Sequence, residues 1–163
     1  MYHLAQLNIA LMSAPLDSPQ LADFVANLAR IDELAERAPG FVWRLKTDDG
    51  DATALRPFGE EYLVNMSTWR DVGSLHDYVY KSAHVEILRR RKEWFERMRA
   101  AYSVLWWVPE GHRPTVAGAR TRLQILRERG PTEEAFTFKK PFPAPDAENR
   151  GILAGFDDIC PAT

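Results

Sequence analysis

The sequence predicts an α+β fold, in which one antiparallel β-sheet carries α-helices on one face. The first observation is the segment "HLAQLNIALM" at residues 3–12, where side chains fall alternately on two faces, a period of two that is typical of a strand. The second is helical spacing of apolar residues in three later segments. The third is the order of these elements, β-α-β-β-α-β followed by α-β, which favours one mixed domain over separate helical and strand domains.

The first helix is predicted within the segment at residues 17–40. Ser18 has the residue type of an N-cap, and Pro19 fits the first helical position. Pro39-Gly40 ends the segment. The face that we expect to be buried is formed by Leu21, Phe24, Val25, Leu28, Ile31 and Leu34.

The remaining elements are predicted from the strand period of two residues, from the helical period of about 3.6 residues and from the positions of turn residues. A polar, glycine-containing stretch at 48–59 is predicted to be a loop between two strands. The predicted elements are strands at 41–47 and 61–69, a helix at 71–100 with a break near 81–83, a strand at 102–111, a helix at 115–130 and a short strand at 134–142.

The first six elements have the order of the ferredoxin-like split β-α-β arrangement. We therefore expect a ferredoxin-like βαββαβ antiparallel sheet with an extra C-terminal helix and short strand, in one domain at residues 1–142. The tail at 143–163 is rich in Pro, Asp and Ala and is predicted to be irregular.

Every predicted strand has apolar side chains on both of its faces. In the strand at 102–111, for example, Val104 and Trp106 lie opposite Leu105 and Trp107. A sheet that is apolar on both sides in a short chain suggests that a second sheet, from a partner subunit, covers the open face. The pattern therefore predicts a homodimer.

Composition narrows the class of function. The formal net charge is −2, so no basic field favours nucleic acid as a partner. No apolar run approaches the ~20 residues that span a membrane, and the N-terminus does not have the pattern of a signal peptide. Cys160 is the single cysteine, which excludes an internal disulfide and a cysteine-rich zinc site. These features predict a cytoplasmic protein that binds neither nucleic acid nor membrane.

The segment "SLHDYVYKSAHVEILRRRKEWF" at residues 74–95 contains the most conspicuous candidate residues. His76, Tyr80 and His84 are spaced by four and share one face of a helix. Two histidines eight residues apart are separated by about 12 Å along a helix, which excludes a shared metal ion. His76 is expected either at the surface or in a pocket. His84 is expected either to bond a backbone carbonyl or to have a role in a pocket.

The basic run at 89–92 is interleaved with glutamates and favours a solvated face. Arg91 differs, because it shares the side of Ile87, Trp94 and Phe95. An arginine within an apolar stripe either extends its charge to solvent or meets an acid. A substrate carboxylate or oxyanion is one such acid.

The tryptophans and the polar strand residues supply further candidates for a pocket. Tryptophans on strands either fill the core or line a site for a flat apolar ligand. Gln6 and Asn8 share one face of the first strand, and Asn65 and Ser67 share one face of the third, where they either bond each other or fix a ligand. The predicted substrate-binding residues are Asn8, Trp43, Arg44, Asn65, Trp69, His76, Arg91, Trp94 and Trp107.

Four segments carry a family resemblance. "HLAQLNIA", "STWRDVGSLHDYVYKSAHVEILRRRKEWF", "LWWVPEGHRPT" and "FTFKKPF" together resemble a bacterial family described as a domain of unknown function, across residues 3 to 142. That family belongs to the dimeric α+β barrel superfamily, which includes antibiotic-biosynthesis monooxygenases, haem-degrading monooxygenases, haem-dependent aldoxime dehydratases and isomerases. The resemblance implies that the sheet forms a dimeric α+β barrel.

The resemblance also implies a function. "YKSAH" at 80–84 is similar to a segment of the monooxygenase-like branch, which makes His84 and Tyr80 the expected catalytic residues. Asn8 and His84 match the haem-degrading branch, but Ser74 stands where that branch has a tryptophan. We expect a monooxygenase-like or isomerase-like enzyme without a cofactor that acts on a hydrophobic or aromatic, polyketide-like metabolite. The alternatives are a haem protein with His84 or His76 as its one axial ligand, and a non-catalytic ligand-binding dimer.

Overall fold

The structure is a computed structural model that describes residues 1–147 of the 163-residue chain. Its centre is a four-stranded antiparallel sheet in the order β2-β3-β1-β4. The strands are β1 (Tyr2–Leu11), β2 (Phe41–Arg44), β3 (Tyr62–Trp69) and β4 (Ser103–Pro109). The helices are α1 (Ala22–Glu36), preceded by a 3-10 turn at Pro19–Leu21, α2 (Val72–Lys81), α3 (His84–Arg89), α4 (Arg91–Trp94) and α5 (Val116–Arg129).

Two helical connections cross the sheet. The chain passes from β1 through α1 to β2, with β3 between the two strands, and from β3 through α2, α3 and α4 to β4, with β1 between them. The α+β class and the antiparallel sheet are thereby confirmed. The dimeric α+β barrel stays a prediction.

One face of the sheet, the α5 face, is covered by the chain itself. Leu7 and Ile9 of β1 are 0% and 2% exposed, and they pack in one cluster with Leu123 and Leu126 of α5. The loop between β2 and β3 adds Leu55 and Phe58 to the same cluster. This face is therefore buried without a second sheet.

The position of α5 corrects the expectation that the helices lie on one face of the sheet. Helix α5 packs on the face opposite α1 and α2, whose residues Ala35, Val72 and Leu75 cluster with Leu4 of β1. The apolar pattern on both faces predicted a partner subunit, but α5 already satisfies that pattern. The homodimer stays a prediction, but the apolar residues on the second sheet face no longer support it, because α5 already buries them.

The long helix predicted at 71–100 is shorter and divided. The break near 81–83 is present, since Ser82 is extended with φ −99° and ψ 179°. The helical segment ends at Trp94 rather than near residue 100, because the chain there joins the end of β1. Phe95 bridges Met12, and the Glu96 N–H donates to the Leu11 carbonyl at 2.8 Å.

The short strand predicted at 134–142 is wrong. Only Phe136 pairs with the sheet, through two backbone hydrogen bonds of 2.8 Å with Leu105. Tight turns at 132–135 and 137–140 bend the chain away on both sides, so no ladder can extend. Phe136 itself is fully buried. Of the tail at 143–163, the part after residue 147 lies outside the described residues.

Strand β2 contains an irregularity that the sequence does not reveal. Its register with β3 shifts between Phe41 and Trp43. Phe41 packs with Trp69 on the α1 side, whereas Trp43 packs against the α5 face. The β-bulge therefore separates two side chains that a strict alternation places together.

Within residues 1–147, no helix has the length and apolar character needed to cross a membrane.

Replacing Leu123 with Ala tests whether α5 covers the sheet. Leu123 is 1% exposed, so we expect the free energy of unfolding to fall by about 2–5 kcal/mol. Urea denaturation measures the change. Gln124→Ala on the exposed side of α5 is the control and should stay within about 0.5 kcal/mol. Equal stabilities of the two variants would contradict this packing.

Candidate active-site cavity

A cavity of about 420 Å³ lies between the sheet and the helices α1 to α4. The sheet supplies its polar floor, and Phe24, Ile31 and Tyr78 belong to its helical wall. A concave, mostly apolar space with a few polar groups is the usual form of a small-molecule site. The predicted site residues that line it are Asn8, Arg44, Asn65, Trp69, Tyr80, His84 and Arg91.

The amide floor of the cavity consists of Gln6, Asn8, Asn65 and Ser67. In the register of β1 and β3, Asn8 lies opposite Asn65, and Gln6 lies opposite Ser67. The Gln6 Nε2–H groups donate to Asn65 Oδ1 at 2.7 Å and to Ser67 Oγ at 2.9 Å. Trp69 Nε1–H donates to the same Ser67 Oγ at 2.8 Å. Hydrogen bonds thus fix Gln6, Asn65 and Ser67, and all four floor residues line the cavity.

His84 lies at the start of α3, directly after the break that Ser82 makes in the helical segment. The Ser82 hydroxyl accepts the His84 backbone N–H at 3.1 Å. The His84 Nδ1 atom lies 3.3 Å from the Val79 carbonyl oxygen, and because a carbonyl can only accept, Nδ1 carries the proton of this bond. The other ring nitrogen, Nε2, is then the one that can accept a proton.

Burial lowers the pKa of His84 below its usual value of 6.5, and the Val79 carbonyl offsets only part of that effect. The imidazole is therefore neutral at pH 7. The expected bond of His84 to a backbone carbonyl is present, and the residue lines the cavity, where its expected role stays a prediction.

Tyr78 lines the cavity, although it was not among the residues predicted for the site. Its ring stacks on Trp69 at 5.0 Å and lies 4.9 Å from the His84 ring. Burial raises its pKa above the usual value. The spacing of four pointed to Tyr80 as the neighbour of His84. The break at Ser82 rotates the later residues and brings His84 to Tyr78 instead.

His76 does not line the cavity. Its side chain is 12% exposed, and its ring lies 4.8 Å from Tyr80 and 5.8 Å from Phe138. This position corrects the expectation of a surface residue, and a substrate-binding role for His76 stays a prediction. Of the two candidate axial ligands for haem, only His84 lies at the cavity.

Three tryptophans that we expected at the site also lie elsewhere. Trp94 is 1% exposed and packs its ring 5.6 Å from Phe24. Trp107 donates its Nε1–H to the Phe142 carbonyl at 2.9 Å. Trp43 belongs to the core on the α5 face. These side chains fill the interior, which is the commoner role of tryptophan.

An ion-pair cluster forms one end of the cavity, at the edge strand β2. Arg44 contacts Asp32 at 3.3 Å and Glu36 at 2.8 Å, and it donates to the Gly50 carbonyl at 2.6 Å. Burial raises the Asp32 pKa to about 6, against the opposing effect of Arg44 and with a contribution from the Asp51 carboxylate. Asp32 was not predicted, because nothing in the sequence shows that this face of α1 meets Arg44.

Arg91 lines the cavity without an ion-pair partner among residues 1–147. Its guanidinium stacks over the rings of Phe95 at 5.5 Å and Tyr102 at 4.9 Å. Its neighbour Arg90 instead pairs outward with Asp23 and Glu93, both at 2.8 Å. The basic run is a solvated face, with Arg91 as the exception that the sequence anticipated.

Within residues 1–147, no group of three or more His, Cys, Asp or Glu side chains is arranged to hold a metal ion.

The sequence matches the family described as Domain of unknown function (DUF3291) over residues 3–152. No curated protein matches the chain.

Two solved structures are similar at low identity. SnoaB, a cofactor-independent oxygenase from Streptomyces nogalater, is 18% identical, with 71% of this chain and 98% of that chain covered and a TM-score of 0.43. NE2512, a protein of unknown function from Nitrosomonas europaea, is 15% identical, with 71% and 95% covered and a TM-score of 0.43. A likeness at this level does not extend to function.

Ser67→Ala tests the amide floor. The change removes the oxygen that accepts from both Gln6 and Trp69, so two buried donors lose a partner. We expect a loss of about 1–3 kcal/mol of unfolding free energy, measured by urea denaturation. Thr121→Ala is the control, because the Thr121 hydroxyl is exposed and donates only within α5. A Ser67→Ala variant as stable as this control would contradict the network.

Asp32→Asn tests the ion-pair end of the cavity. With a folded pKa of about 6 and a usual value of 3.8, the folded state favours the protonated acid, so Asp32 destabilises the fold increasingly as pH rises through that interval. We therefore expect the melting temperature of the variant, relative to wild type, to rise between pH 4 and pH 8.

Asp49→Asn, at an exposed loop position outside the cavity, is the control for that pH series. A difference between Asp32→Asn and wild type that stays constant with pH, or that falls, would show that burial does not dominate at Asp32.

Proposed function

The chain belongs to the DUF3291 family, and we propose that it is a monooxygenase-like enzyme acting on a flat, hydrophobic or aromatic small molecule in the cavity. One observation carries the proposal. His84 is a desolvated, neutral imidazole whose Nδ1–H is held by the Val79 carbonyl, at the wall of a cavity with an aromatic lining and an amide floor.

The first step is removal of a proton from the substrate. The Nε2 atom of His84 takes a proton from an acidic C–H or O–H group, and its bond to Val79 keeps the ring in the tautomer that can do so. Asn8 on the floor stabilises the resulting anion through its amide N–H groups. Tyr80 and Arg91 orient the substrate.

The second step is the reaction of that anion with O₂. For a ring CH₂ group that becomes a ketone, one oxygen atom of O₂ enters the substrate. The other leaves as water with the two hydrogen atoms of the CH₂ group. The substrate supplies all the electrons, so the balance needs no separate reductant. The enzyme contributes the base, the positioning of the anion and a site that holds it away from water.

His84→Gln tests the base. With anthrone as the carbon-acid probe, we expect O₂ uptake to fall by about 100-fold or more, the usual contribution of a general base. Because burial lowers the His84 pKa, uptake by the wild type should decline only at pH values below 6.5, where the imidazolium form cannot accept a proton. His112→Gln, at an exposed position outside the cavity, is the control and should match the wild type.

Unchanged O₂ uptake in His84→Gln would refute the role of His84 as base. The alternatives have their own signatures. A Soret band that appears on adding haemin to the wild type and is lost in His84→Gln would favour the haem protein. Saturable binding of anthrone without O₂ uptake would favour a non-catalytic ligand-binding protein.

A further inference from the structure

Arg91 brings a positive charge to the cavity that no carboxylate of residues 1–147 neutralises. Arg44, the other arginine that lines the cavity, is held by Asp32, Glu36 and the Gly50 carbonyl. A charge at an apolar cavity wall is costly unless it is paired. The contrast with Arg44 indicates that the partner of Arg91 lies outside residues 1–147.

Stacking holds the Arg91 guanidinium in place. The Arg91 Cζ atom lies over the rings of Phe95 and Tyr102, 5.5 and 4.9 Å from their centroids, and these cation–π contacts attract the charged group and restrict the side chain. The N–H groups at the edge of the guanidinium form the fork that binds a carboxylate through two parallel hydrogen bonds. Because the rings restrict the side chain beforehand, binding costs less conformational entropy.

Arg91 and the ion-pair cluster lie at opposite edges of the sheet. Arg91 stacks on Tyr102, immediately before β4, and Arg44 belongs to β2, which is the other edge strand. Three strand spacings, roughly 14 Å, separate those edges. The charge of Arg44 is already paired with carboxylates, so Arg91 is the cation available to an anionic ligand, which gives the ligand one favoured orientation across the amide floor.

We propose that the cavity binds a planar aromatic carboxylate of two or more rings, with the carboxylate on Arg91 and the reacting group at His84. His84 begins α3 and Arg91 begins α4, and both line the cavity, so the rings of the ligand lie between them. The inference rests on the proposed function for the role of His84. The ligand carboxylate that binds Arg91 is ionised before the reaction. It is distinct from the anion that forms at His84 during the reaction.

The test compares two probes of the same shape, 2-naphthoate and 2-naphthamide, by isothermal titration calorimetry near pH 7, where the acid is ionised. We expect the wild type to bind the naphthoate at least about tenfold more tightly than the amide. Arg91→Met should remove most of this preference and keep the amide affinity. Arg91→Lys should retain part of the preference, since a lysine keeps the charge and loses the fork.

Arg89→Met is the matched control, because Arg89 is exposed on α3 and does not line the cavity. It should keep the full preference. A thermal melt of each variant separates loss of binding from loss of folding. If Arg91→Met does not fold, Arg91→Lys replaces it as the test variant.

Equal affinity of the wild type for both probes would overturn the proposal, as would an unchanged preference in Arg91→Met or no binding of either probe. The titration is made without O₂ and needs no turnover. A preference for the naphthoate that depends on Arg91, together with no O₂ uptake on any substrate, would therefore refute the proposed oxygenation while leaving the anion site in place.

Discussion

The register between β1 and β3 is the constraint on which the rest of the structure depends. It places Gln6 opposite Ser67 and Asn8 opposite Asn65 on one face, and it sends Leu7 to the α5 side. A slip of one residue would exchange the two faces, moving the amides into the packed core and the apolar side chains into the cavity. The hydrogen bonds of Gln6 to Asn65 and Ser67 favour the observed register.

One desolvated environment acts on two groups of opposite charge. It raises the pKa of Asp32 to about 6 and lowers that of His84, because burial, compared with water, favours the neutral form of each group over its charged form. A base that is uncharged at neutral pH and screened from water is suited to removing a weakly acidic proton. Arg91, stacked on Phe95 and Tyr102, keeps its charge in the same surroundings.

The four strands of the sheet, the amide floor and the inward position of Arg91 could be predicted, because each follows from a period of two or 3.6 within one element. Three features could not. The bulge that separates Phe41 from Trp43 has no local sequence signal, and Asp32 meets Arg44 only through the packing of α1 on β2. Likewise, an apolar sheet face indicates that another element packs on it, but not whether that element belongs to the same chain or to a partner subunit. Here the element is α5 of the same chain.

The central claim is that His84 is a neutral base whose Nδ1–H is held by Val79. An NMR titration of the imidazole ¹⁵N and ¹³C resonances measures both its tautomer and its pKa. We expect the Nδ1–H tautomer at neutral pH and a pKa below 6.5. A pKa at or above 6.5, or a predominant Nε2–H tautomer, would contradict the claim.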